Sequence, residues 1–239
     1  MSEWWTYRLE DFLMFAPVTY QRLFALHNAA VWPWQVPAAV LALLAVWAGR
    51  AMGGRPALWR LALLPVAAGW LATAAGFLWT HYASIHIAAP WFAAAFGLQA
   101  LLLATLLRPG SPWRARLQPG WVRGLGLLLL ALAVLGWPLL GPLFGRPWTQ
   151  LALFGLTPDA TAVGTLGLLL LLQRQGRSRA LPLLPWAVPV LWCVLSAATL
   201  WTLGMPDGLL LAATVVLALV PAAWWLGRTG PERAAGRVR

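Results

Sequence analysis

Apolar residues run through this chain in seven blocks, separated by short polar breaks in which arginine appears at every second position of the series. The blocks cover Trp34 to Gly49, Leu61 to Thr80, Ile87 to Leu107, Leu125 to Phe144, Pro158 to Gln173, Leu181 to Leu203 and Pro206 to Leu226. Most approach the ~20 residues that a helix needs to cross a bilayer. The fifth is short, so it is expected to stand upright, to thin the bilayer locally or to sit inside the bundle. Prolines within the blocks (Pro65, Pro138, Pro185, Pro189, Pro221) are expected to kink their helices and free carbonyls for neighbours to take up.

Residues 1–33 carry a different pattern. Leu9, Phe12, Leu13 and Ala16 fall at helical spacing, Pro17 interrupts, and Tyr20, Leu23, Phe24 and His27 resume the stripe. This predicts two short amphipathic helices lying on the bundle as a cap. Glu3 stands where a signal peptide would carry positive charge, and no uninterrupted apolar core precedes a small-residue cleavage site, so the segment is expected to be retained. The division expected is one integral-membrane domain over 1–239: a cap (1–33), a seven-span bundle (34–226) and a basic tail (227–239).

Charge placement sets an orientation. The basic residues of successive breaks number three (Arg50, Arg55, Arg60), none, four (Arg108, Arg114, Arg116, Arg123), one (Arg146), three (Arg174, Arg177, Arg179), none, and four in the tail (Arg228, Arg233, Arg237, Arg239). The positive-inside rule places the arginine-rich breaks and the C-terminus in the cytoplasm and the N-terminus outside, in the periplasm or extracellular space.

Composition agrees with a bilayer: 61% of the 239 residues are hydrophobic and the mean hydropathy is +0.73. The net charge of +11 would suggest nucleic acid in a soluble protein. Here it sits in short interhelical breaks, where topology and anionic headgroups account for it. The 17 basic residues are all arginine, which excludes a retinal Schiff base and a Walker-type phosphate loop, both of which need lysine. Cys193 is alone, so intrachain disulfides, thiolate zinc sites and covalent haem attachment are excluded as well.

Many of the 18 tryptophans fall near block ends (Trp32, Trp34, Trp59, Trp79, Trp91, Trp121, Trp224, Trp225), as an interfacial belt requires. Trp70, Trp137 and Trp192 lie deeper and read as packing elements. Gly49/Gly53 and Gly141/Gly145 match GxxxG at helix ends, which defines no dimer interface. The fifth and seventh blocks begin alike, with Gly155-Leu156-Thr157-Pro158-Asp159 and Gly204-Met205-Pro206-Asp207, two helix starts with proline and a dipole-complementing aspartate.

Polar residues that carry no topological signal collect on the expected outer side: Glu3, Arg8, Glu10, Asp11 and Arg22; His81, Tyr82, Ser84 and His86; Arg146, Trp148, Thr149, Gln150 and Asp159; Thr202 and Asp207. Arg146 is the only basic residue of the second, fourth and sixth breaks. It reads either as an anion clamp or as the partner of Asp159, Asp207 or Asp11. Asp159 and Asp207 read as a proton or cation site, or simply as first-turn residues. His81 and His86, five apart, do not share a helix face, and no metal site or cofactor is expected from them. Ser196, Thr199 and Thr202 are expected to bond back to their own helix carbonyls. No catalytic spacing is present.

Taken in order, Trp5-Thr6-Tyr7, Asp11-Phe12-Leu13, Pro17, Tyr20, Leu23-Phe24, Asn28, Trp32-Pro33, Tyr82-Ala83 with Ile85, Arg146-Pro147-Trp148, Phe154-Gly155 with Pro158-Asp159 and Thr161, Trp192-Cys193 and Ala198-Thr199-Leu200-Trp201 resemble a family of small bacterial multi-pass membrane proteins without an established activity. Some members are labelled transporter permeases. The resemblance implies this fold in the inner membrane and little more. His86-Ile87 departs from the Asn-Trp expected after Tyr-Ala-x-Ile.

The sequence therefore predicts an all-α, seven-span protein, N-out and C-in, with an outward-facing polar pocket for a small solute. Arg146 is the expected anchor, Asp159 and Asp207 its partners, and Tyr82, Trp148 and Gln150 its walls. The alternative is a non-transporting accessory protein whose cap docks a partner, with Arg146 simply paired.

Overall fold

The computed structural model describes residues 14–51, 58–111, 113–115, 119–174 and 183–228. All seven apolar blocks become helices. α2 (Gln35–Ala51) follows the cap helix α1 (Pro17–Ala30), and the two are bent by 100° at their junction. α3 (Trp59–Ala72) continues into π-helical turns over Thr73–Trp79, and α4 spans Ala89–Leu106. α5 (Gly120–Ala131) passes through a π-helical segment, Leu132–Gly136, into α6 (Trp137–Leu143). Then come α7 (Pro158–Leu171), α8 (Leu184–Thr202) and α9 (Asp207–Arg228). A small antiparallel ribbon, β1 (Trp113–Ala115) with β2 (Leu172–Arg174), pairs Trp113 with Arg174.

Length and composition qualify four of these segments as membrane spans on their own: Trp59–Ser84, Ala89–Leu106, Gly120–Leu143 and Leu184–Thr202. A fifth arises if bent α1 and α2 count as one broken span, whereas α7 and the Asp207–Pro221 part of α9 are shorter. Their outward faces carry exposed Leu43, Leu64, Leu71, Leu98, Leu101, Leu128, Leu191 and Val216. Apolar side chains on this scale outside a protein call for an apolar surrounding.

The interior is organised on α7, whose fourteen residues are all buried. Of the arrangements open to the short fifth block, the structure takes the one inside the bundle. Glycine lets the neighbours close in. A Cβ on Gly167 would stand 2.6 Å from Leu130 N and 2.7 Å from Gly126 O, so α5 and α7 meet backbone to backbone. At the start of α7, Gly155 has φ +79°, and a Cβ on Gly69 would come within 2.6 Å of Gly155 Cα. Hydroxyls then tie α7 to α3 and to the turn that precedes it. Trp70 Nε1 donates to Thr165 Oγ1 at 2.7 Å, and Gly155 N donates to Thr161 Oγ1 at 2.9 Å.

The antiparallel order brings the starts of α2, α4, α7 and α9 and the ends of α3, α6 and α8 to one end of the bundle. α1 lies across that end. Asn28 Nδ2 donates to the carbonyls of Thr149 and Leu151, each at 2.9 Å, and Gln35 Nε2 holds Asn28 O at 2.8 Å. Of the two cap helices expected from the sequence, the second is α1. The first lies outside the described residues.

Candidate functional site

Two aspartates with similar local sequence reach the capped end by the same device. Gly155 and Gly204 both take left-handed backbone (φ +79° and +69°), turning the chain into helices whose first turns hold Asp159 and Asp207. Their partners differ. Asp207 Oδ2 accepts from Arg146 Nη2 in an ion pair whose side chains are 9% and 13% exposed. Asp207 Oδ1 is buried without a hydrogen-bond partner among the described residues. Asp159 instead uses Oδ1 to accept from both Trp192 Nε1 and Ser196 Oγ, each at 2.8 Å. Those two donors stand four apart on α8, hence on one helix face.

Arg146 is held where α6 ends. Its N–H donates to Gly141 O at 2.8 Å, and the preceding Gly145 has φ +78°. The ion pair borders a cleft of about 230 Å³ lined also by Pro17, Gln21, Phe144, Leu203 and Met205. Trp148 is 66% exposed and lines a separate cleft of about 260 Å³ with Trp32, Asn28, Gln35 and Thr149. Gln150 keeps a buried Oε1 without a partner among the described residues.

Tyr82 is buried in a train of rings rather than at the ion pair. Phe15 stacks on Tyr20 (centroids 5.7 Å), Tyr20 meets Tyr82 (6.2 Å), Tyr82 stacks on Phe92 (6.5 Å), and Phe92 meets Trp192 edge-on (5.5 Å). The train links the cap to the tryptophan that holds Asp159. Burial pushes the Tyr20 phenol well above its usual range, and the fields of Asp159, Tyr82 and Asp207 add to the rise. Tyr20 therefore stays protonated beside both carboxylates.

Of the six residues expected in one pocket, the structure joins Arg146 to Asp207. It gives Asp159 other partners, Tyr82 a ring cluster, and Trp148 a neighbouring cleft. Trp192 and Ser196 were not expected at the site. Their i, i+4 spacing is the signal that would have found them. Ser196 does not bond back to its helix as the sequence suggested, whereas Thr199 and Thr202 do, to Leu195 O (3.0 Å) and Thr199 O (2.8 Å).

The histidines are placed individually. His81 Nδ1 donates to Gly76 O at 2.8 Å, and His86 Nδ1 accepts from Ala88 N at 3.1 Å. Burial lowers the pKa of His86. Among the described residues, no group of three or more His, Cys, Asp or Glu side chains is arranged around a common point.

A helical bundle with several spans of sufficient length, an apolar exterior and, among the described residues, its carboxylates Asp159 and Asp207 at one capped end is a membrane protein. The chain belongs to DUF6064, a family of unknown function, whose family model matches residues 18–229. Neither the curated proteins nor the solved structures offer a match.

Proposed function

We propose that this is a seven-span protein of the bacterial inner membrane, N-out and C-in, which binds a small polar solute in the outward-facing cleft beside Arg146 and Asp207. One observation carries the reading: a nearly buried ion pair that borders an open cleft and leaves Asp207 Oδ1 unpartnered among the described residues. Buried polar atoms are normally paired, and a charged one left open is costly. The orientation is supported by the separation of charge between the two ends. Asp159 and Asp207 stand at the capped end, while Arg50, Arg60, Arg108, Arg114, Arg123 and Arg174 stand at the other.

The reading is of binding, as for sensing or capture, more than of conduction. α7 is buried along all fourteen of its residues, and its glycine contacts with α5 leave backbone against backbone. The same enclosure favours a second reading, a rigid accessory protein whose cap, with exposed Trp32, Trp34 and Trp148, docks another protein.

Thermal unfolding of the detergent-solubilised chain across anions, amino acids, sugars and metal ions, with wild type beside Arg146→Ala, separates the two. A saturable shift that the variant loses supports solute binding. No shift for any class, with the variant merely less stable, supports docking. Orientation is tested by single cysteines and a membrane-impermeant maleimide. Trp148→Cys is expected to label in intact cells and Arg108→Cys only after lysis, since native Cys193 is enclosed.

A further inference from the structure

We infer that the solute taken by the Arg146–Asp207 cleft is a small zwitterion, an ammonium and a carboxylate a few bonds apart, as in glycine or a β-amino acid. The inference rests on the cleft being a solute site, and it adds the class of solute. Asp207 is 7% exposed, and while one of its oxygens holds Arg146, the other is buried and accepts nothing among the described residues. A carboxylate oxygen in that state calls for a donor, and the strongest small donor is an ammonium group. Beside it, the Arg146 guanidinium has five N–H donors. Its side chain makes one hydrogen bond among the described residues, the one to Asp207. The same cleft wall thus holds a buried, unpartnered acceptor next to positively charged donors.

Charge balance then selects among ligands. The pair is neutral as it stands. A simple anion would satisfy Arg146 and leave a buried net negative charge. A simple amine would satisfy Asp207 and leave a net positive one. In a poorly solvated cleft, either uncompensated charge is expensive. A zwitterion satisfies both groups and keeps the sum at zero. The size agrees: about 230 Å³ lies below the ~300–1,000 Å³ of sites for drug-sized molecules. The remaining walls, Pro17, Phe144, Leu203 and Met205, with Gln21 as the one neutral polar side chain, suit a short backbone with little or no side chain.

The test uses the full chain in detergent and follows thermal unfolding against glycine and β-alanine. Their single-charge counterparts, N-acetylglycine and glycine methyl ester, are run beside them. A saturable rise is expected for a zwitterion, with loss of either charge weakening apparent affinity by about ten-fold or more. Asp207→Asn and Arg146→Gln are each expected to abolish the rise. Because either single variant leaves one buried charge alone, the double variant, neutral at both positions, serves as the folded control, and the wild-type analogue series decides without any variant. A single-charge analogue matching the zwitterion within roughly two-fold would overturn the inference. A saturable shift by a sugar or an inorganic ion, with none by zwitterions, would overturn the solute class and leave the solute site standing. No shift by any class would overturn both.

Discussion

Gln99 Nε2, on α4, donates a 2.9 Å hydrogen bond to the carbonyl of Pro185 on α8, which is the acceptor that Pro189, four residues on, leaves without its helical N–H. The freed carbonyl is buried, and a side chain from a helix packed against α8 supplies what the proline removed. Gln99→Met is therefore expected to destabilise by about 1–2 kcal/mol, since it orphans a buried acceptor while also removing the unpartnered Gln99 Oε1. Adding Pro189→Ala should recover part of that loss by restoring the intrahelical bond. Thermal unfolding of the two singles and the double closes the cycle. Additive effects would show that the two residues are unconnected.

The α5–α7 contact makes a second expectation. Gly167→Ala places a methyl 2.6 Å from a backbone nitrogen and 2.7 Å from a backbone oxygen, atoms that move only if a helix moves. The variant should lose on the order of 3 kcal/mol or fail to accumulate as a folded species. Gly124→Ala, in the same α5 and with open space around its Cβ, should be neutral or gain up to about 1 kcal/mol from helix propensity. Size-exclusion profiles and melting of the pair measure this directly. Equal behaviour would mean that the two helices do not touch there.

Asp159 and Ser196 provide a third. Ser196→Ala removes one of two donors to a buried carboxylate oxygen and is expected to cost about 1.5–3 kcal/mol, the range for hydrogen bonds to charged groups. Asp159→Asn in the Ser196→Ala background should cost less than the sum of the two singles, because the shared interaction is lost only once. A double-mutant cycle in detergent reads the coupling.

Stability should also depend on pH through His27. Its ring is 1% exposed, packed on Phe77 and His81 with centroids 5.4 and 5.2 Å away. Among the described residues neither ring nitrogen makes a hydrogen bond, although the carbonyls of Leu156 and Gly76 favour the charged form. Burial, with His81 adding to it, pushes the pKa of His27 down from 6.5 to about 4. Between those values the unfolded chain holds more protons than the folded one. Stability is thus complete above about pH 6.5 and declines as the pH falls towards 4. His27→Leu should flatten this part of the melting-temperature profile, leaving the contribution of His86, which acts in the same sense. An unchanged profile in the variant would assign the dependence elsewhere.

Helix positions were legible in the sequence because one signal, apolar length punctuated by arginine, sets them: the predicted Ile87–Leu107 block became Ala89–Leu106, and Leu181–Leu203 became Leu184–Thr202. The choice of partner was not legible. Asp159 and Asp207 open their helices with nearly the same residues, and only the packing of α8 against α7 and of the 144–150 loop against α9 decides which of them meets Arg146. Trp192 read as packing because a buried indole is apolar over most of its surface. Its single N–H takes on meaning only once Asp159 is opposite. The π-helical turns at Leu132–Gly136 precede Pro138, where a kink was expected. Those at Thr73–Trp79 contain no proline, and nothing in the local sequence announces them.

α7 is clothed on every side by its own chain, so what surrounds it is protein and never the outside medium. A segment in that position is released from the hydropathy that a lipid-facing helix must maintain, and Asp159, Thr161, Gly164, Thr165 and Gly167 all reside there. The debt falls on assembly. Until α8 and α9 have been made and have closed around it, α7 has polar groups and gaps that no neighbour has yet covered, so the last quarter of the polypeptide is what makes the middle of the molecule stable.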